Sequence, residues 1–171
     1  MIRLAIRPAT EKDVPQILAV TRLAFQVYSL ELGGNHSLAA LEETEADILH
    51  DLHEKQVFVG IASGIKMVGC VRMEMLPGGI SYLSRLAVLT QWQQYGLGKL
   101  LVNAVEQEAT RLGAKAVALH TAKKITRLMR FYQRLGYTVQ ATGNARGYAR
   151  VLFAKDLQNT PADFSTWAEG V

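Results

Sequence analysis

The chain has 171 residues, 49 % of them hydrophobic and 20 % charged, a composition that suits one domain with a real core and excludes wholesale disorder. No apolar run approaches the length of a membrane span. A net charge of +4 and a pI near 9.3 leave nucleic acid open as a partner, but a basic pocket for a polyanionic cofactor accounts for the excess equally well.

Met1–Arg7 alternates like a strand and lacks a signal-peptide core. Thr10-x-x-Asp13 resembles a capping box. Val14, Ile17, Leu18, Thr21 and Phe25 then recur at helical spacing, with Pro15 in the first turn, where a missing N–H costs nothing. Leu32–His36 breaks this helix, and Ser37 is placed to cap a second one that buries Leu38, Leu41, Ile48 and Leu52. Gln56–Ala62 and Ile65–Leu76 read as a hairpin about Ser63-Gly64, and Pro77-Gly78-Gly79 turns the chain into Ile80–Leu89. Leu97–Leu112 reads as a helix with Leu97, Leu100, Leu101, Ala104 and Val105 inward, ended by Gly113. A strand, Ala114–Thr121, precedes a helix, Lys124–Leu135, with Ile125, Leu128, Met129, Tyr132 and Leu135 on one side. Tyr137–Thr142 and Tyr148–Asp156 close the domain as a hairpin. The order β-α-α-β-β-β-α-β-α-β-β predicts a mixed α/β fold, largely antiparallel with one parallel step, in a single domain over 1–157. Residues 158–171 read as a polar tail whose Phe164 and Trp167 either dock on a second subunit, making a homodimer, or cap the chain's own core.

The densest signal is Leu86–Lys99. A β-rich run stops, a short polar turn follows, and two glycines spaced by one residue open a long helix. Free amides at such a helix start converge on one point, and a pyrophosphate suits it. Gly96 and Gly98 let phosphate oxygens approach the backbone closely. Cys70 is the single cysteine, which rules out an intrachain disulfide and supplies no zinc set; no metal is expected, and a reducing cytoplasm fits.

These residues resemble the GNAT (N-acetyltransferase) superfamily, whose members use acetyl-CoA. The family's Q/R-x-x-G-x-G/A motif stands as Gln93-Gln94-Tyr95-Gly96-Leu97-Gly98, its L-x-V strand end as Leu86-Ala87-Val88, and its F-Y-x-x-x-G-F/Y as Phe131-Tyr132-Gln133-Arg134-Leu135-Gly136-Tyr137. Ile6–Asp13 repeats a common opening. The resemblance implies a seven-stranded GNAT sheet with helices on both faces. It also implies a bulged strand parted from Ala114–Thr121, with cofactor contacts at Leu86–Val88 and Gln93–Lys99. Ile125 stands where asparagine is frequent, and Tyr82 stands where some members carry a catalytic Glu.

Under this resemblance Tyr132 is the candidate general acid for the departing thiolate, since a phenol of pKa roughly 10 stays protonated. Its bland alternative is a core tyrosine. Glu74 and His120 are candidate bases, and Tyr82 or Ser84 offers a water relay. Lys123, Arg127, Arg130 and Arg134 share a helix face; Arg127 and Arg130 are the candidates for a cofactor phosphate. The loops Tyr28–His36 and Asn144–Tyr148 are expected to roof the acceptor pocket, with Tyr28, Tyr82, Ser84 and Tyr148 in contact. The resulting expectation is acetyl transfer from acetyl-CoA to a primary amine by direct attack in a ternary complex. The alternative is a CoA-binding sensor of the same fold, and a nucleic-acid partner is disfavoured for lack of an aromatic-interleaved basic platform.

Overall fold

Seven strands form one sheet in the order β1-β2-β3-β4-β5-β7-β6. They span Leu4–Pro8 (β1), Gln56–Ala62 (β2), Lys66–Leu76 (β3), Ile80–Val88 (β4), Ala116–Ala122 (β5), Thr138–Gly143 (β6) and Arg150–Asp156 (β7). The helices are Val14–Glu31 (α1), Ala39–Glu42 (α2), Glu45–Glu54 (α3), Leu97–Arg111 (α4) and Thr126–Arg134 (α5). The computed structural model describes residues 1–171 except the side chains of residues 168 and 169. Every strand pair is antiparallel except β4 with β5, which are joined through α4 and run parallel, as a helical crossover requires. The predicted mixed, largely antiparallel architecture stands.

Helices cover both faces of the sheet. Thr21 of α1 reaches Cys70 at 3.6 Å, while a Cβ on the neighbouring Gly69 would lie 2.8 Å from Leu97 of α4. Successive strand residues point to opposite faces, so α1 and α4 lie on opposite sides. Gly60 and Gly69 are thus the seat of α4: a Cβ at Gly60 would lie 2.7 Å from the same leucine. The core between the layers holds Ile17, Ile48, Val59, Met73, Leu101 and Phe153, all fully buried.

Two local expectations are corrected. Ser37 does not cap one long second helix. The chain makes the single turn α2, turns extended at Glu43 and restarts at Thr44, whose side chain accepts from the Asp47 amide while Asp47 accepts from the Thr44 amide. This capping box satisfies two end amides at once, which a lone Ser37 does not. Leu100 is not inward but exposed, because Leu97, Leu101, Val105, Val102 and Ala109 centre the buried stripe of α4 on the other side.

The tail folds back on its own sheet. Phe164 and Trp167 pack on the cluster of Ile80, Ala118, Leu152, Ala154 and Val171. The Ala145 amide donates to the Val171 carbonyl at 2.8 Å and Arg150 Nη2 to the Gly170 carbonyl at 2.8 Å. Among the described residues, no helix is long and apolar enough to cross a membrane.

Candidate active site

The parallel β4–β5 ladder runs from Ile80↔Ala116 to Tyr82↔Ala118 and ends there. On its other side β4 carries a bulge: Arg72 pairs Ser84 but Cys70 pairs Ala87, and Arg85 takes φ 52. The bulge bends β4 away from β5 and frees backbone groups on the side it leaves. The Leu89 amide donates to Val68 on the β3 side at 3.0 Å. By the alternation of an antiparallel ladder, Val88 then turns its own N–H and C=O to the parted side. Gln93 Nε2 donates to that Val88 carbonyl at 3.3 Å.

Where β4 ends, a 3-10 turn over Thr90–Tyr95 leads to Gly96, which starts α4 at φ 79 with no side-chain cap. Only glycine adopts that conformation without strain, and the first amides of α4 are left facing outward. Gly98 has a different duty: a Cβ there would press on the Phe131 ring at 3.1 Å. Val88, Gln93, Gln94, Gly96, Gly98, Lys99, Arg127 and Phe131 line one groove of about 360 Å³. Ala87 and Leu97 are buried and do not line it, and Tyr95, half-exposed, packs tilted against Trp92 with ring centroids 5.3 Å apart. Arg127 pairs with Glu31 at 2.6 Å at the groove's rim. Arg130 is exposed on the solvent face of α5 and lines no part of it.

Residues 22–137 match the Acetyltransferase (GNAT) family. The chain belongs to this family. Protein YyaT of Bacillus subtilis (strain 168) is 27 % identical over 152 residues, 88 % of this chain and 94 % of that protein. The GNAT fold is likewise that of the PaiA N-acetyltransferase of Thermoplasma acidophilum, solved in complex with coenzyme A (TM-score 0.76, 16 % identity, 90 % of this chain and 99 % of that one). Salmonella typhimurium yncA, solved with acetyl-CoA, is similar in the same way (TM-score 0.74, 18 % identity, 95 % and 99 %). The protein is therefore a GNAT-type acetyltransferase, and acetyl transfer is its general reaction.

A second, larger cavity of about 760 Å³ adjoins the GNAT groove, and the two share Phe25, Tyr28, Leu86 and Leu128 as a common wall. Tyr28 is fixed there by accepting the Ala122 amide at 2.9 Å, and burial pushes its phenol pKa up. Tyr148, against the His36 ring at 5.3 Å, lines the cavity with Ser84, Glu74, Tyr82 and His120. Glu74 stands opposite Tyr82 in the β3–β4 register. The Tyr82 hydroxyl and His120 Nδ1 are 2.5 Å apart, while His120 Nε2 is buried without a partner. Burial, then the charges of Arg150 and Arg146, push the His120 pKa down to about 4, so the imidazole is neutral at pH 7. Trp167 stacks on His120 with centroids 6.5 Å apart and planes 22° apart. Tyr132, next to Phe131 on α5, is 4 % exposed, is not among the residues lining either cavity, and stands edge-on to Phe131 and Tyr137. Burial raises its pKa, and Tyr28 and Arg127 are among the groups whose charge it feels.

Several cavity residues escape a linear reading. Arg72, 1 % exposed, is held by Glu43 at 2.6 and 2.9 Å and by Asp51 at 2.9 Å. That network ties the α2–α3 segment to the sheet as the cavity's outer wall. Its one sequence signal is an arginine inside the apolar run Met67–Met73, since charge is buried only when paired. Arg85, Arg146, Arg150 and Trp167 carry no comparable signal.

Proposed function

We propose that the protein moves the acetyl group of acetyl-CoA to a primary amine by direct attack, with both substrates bound. The observation that carries this reading is the pair of cavities meeting at the point where β4 leaves β5. A diphosphate fits the uncapped start of α4, where helix dipole and free amides favour an anion, and an extended arm fits the parted strands. Gln93–Lys99 and Leu86–Val88 would hold acetyl-CoA, which would supply an activated acyl group.

The residues divide the work. The Val88 N–H, aimed into the gap, is the donor for the thioester carbonyl oxygen, whose charge grows on attack. Phe25, Leu86 and Leu128 exclude water from the junction. Tyr132, protonated through its raised pKa, is the group to return a proton to the departing sulfur. His120, with a pKa of about 4, is too weak a base for an alkylammonium; its neutral ring orients the Tyr82 hydroxyl instead. Glu74, half-buried opposite Tyr82, is the carboxylate that receives the ammonium proton, directly or through water on Ser84.

Purified protein is to be mixed with acetyl-CoA and a panel of primary amines while free thiol is followed. Acceptor-dependent thiol release with a matching N-acetylated product is expected. Tight acetyl-CoA binding with no release on any amine overturns transfer and leaves the sensor reading.

A further inference from the structure

We infer that the acceptor is an amine that also carries a carboxylate, held by Arg85, Arg146 and Arg150 at the Tyr82–His120 end of the larger cavity. The inference rests on the proposed acetyl transfer and names its substrate class.

Ser84, Arg85 and Leu86 are consecutive, yet all three line this cavity. A regular strand would send Arg85 to the opposite face. The bulge and the left-handed Arg85 backbone, φ 52, turn it back. A residue with a side chain holds such a conformation only when its surroundings impose it, and such strain gathers at binding sites. Here the strain delivers one guanidinium to the acceptor chamber.

The cavity's acids do not neutralise that end. Both Glu43 oxygens bind Arg72, so the ion pair that Oε1 also makes with Arg85 Nε at 3.4 Å, without a hydrogen bond, shares one carboxylate between two guanidinium groups. Asp51 is divided between Arg72 and Lys55, and Asp47 is turned into the Thr44 cap. Arg150 gives Nη2 to the Gly170 carbonyl, and its buried Nε lacks a partner. Arg146 forms no ion pair among the described residues. All three arginines line the same cavity as Tyr82 and His120. Glu74 and Glu42 remain on the cavity wall to face a cation. A chamber whose one end holds three guanidinium groups against a single shared carboxylate, with Glu74 opposite Tyr82 on the same wall, fits a zwitterion. Planar guanidinium forks match a carboxylate well.

The test is calorimetric titration of the CoA-saturated protein with free α-amino acids, their carboxamides, a polyamine and an aminoalkyl phosphate, in wild type, Arg146→Met and Arg85→Met. Arg146 is exposed, so its variant keeps the fold even if Arg85→Met does not. At least one amino acid is expected to bind about tenfold or more tighter than its amide, since a charge-assisted contact is lost. That preference is expected to collapse in Arg146→Met. Equal binding of acid and amide, tighter binding of the polyamine or the phosphate, no binding by any compound, or a preference untouched by both substitutions overturns the inference. Thiol release on the same panel separates the two readings. Transfer without a carboxylate preference overturns the acceptor class alone. An arginine-dependent preference without transfer overturns the reaction alone.

Discussion

The groove at the start of α4 and the cavity behind it are built from different material. The groove is organised about backbone, the amides after Gly96, the parted edge of β4 and the glycine-seated helix that holds them, with side chains such as Gln93, Lys99 and Phe131 around it. The cavity is made of side chains drawn from α1, α2, α3, β3, β4, β5, α5, β7 and the loop before β7. Backbone sites are set by local conformation and tolerate sequence drift elsewhere. Side-chain sites exist only after distant segments meet, so under the proposed reaction one fold holds a constant chamber for the acyl donor and a variable one for the acceptor.

Four perturbations sharpen this contrast, the largest first. Tyr132→Phe is expected to lower kcat by about a hundredfold or more, the usual worth of a positioned proton donor. Circular dichroism and melting should stay near wild type, because the ring packing is kept; an undiminished kcat would return Tyr132 to the core. Arg72→Met acts on the acceptor side. It strands Glu43 and Asp51, and the loss of stability should fall toward the lower end of about 3–5 kcal/mol, since Lys55 and Arg85 remain near them. Chemical denaturation reads this, and acetyl-CoA affinity of the folded fraction should hold.

Gly96→Val imposes about 1–3 kcal/mol of backbone strain at φ 79 and turns the amides of α4 aside. Acetyl-CoA affinity should fall by about tenfold or more while amine binding persists; equal weakening of both would erase the division between the chambers. The smallest effect concerns His120. Its folded pKa of about 4 lies below its ordinary 6.5, so between those values the unfolded chain binds a proton that the folded chain refuses. Stability supplied by the neutral ring is whole above pH 6.5 and is lost as pH falls toward 4. The fall in Tm over that window should be shallower in His120→Gln than in wild type.

Much of the groove is legible in the sequence. Gln93–Gly98 after a strand end at Leu86–Val88 announces a helix mouth, and the bulge and the parting of β4 from β5 followed from resemblance. Tyr28, Tyr82, Ser84 and Tyr148, expected from the sequence to contact the acceptor, all line the larger cavity. Other features were not legible. The stop at Glu43 and restart at Thr44 came from competition between two caps close in sequence. Leu100 faced outward because five other residues define the stripe of α4 more strongly. Arg130 shares a helix with Arg127 but not its contact with the groove.

The order of elements, the turn glycines and the uncapped helix start at Gly96 are written in local sequence, because each depends on neighbours a few residues apart. Tertiary structure alone decided that Arg72 is clamped by Glu43 and Asp51, that Arg85 is twisted into the cavity, that Tyr82 meets His120, and that the tail lays Trp167 over that pair. Those contacts join residues tens of positions apart. Their energy comes from burial and charge pairing that no local window contains.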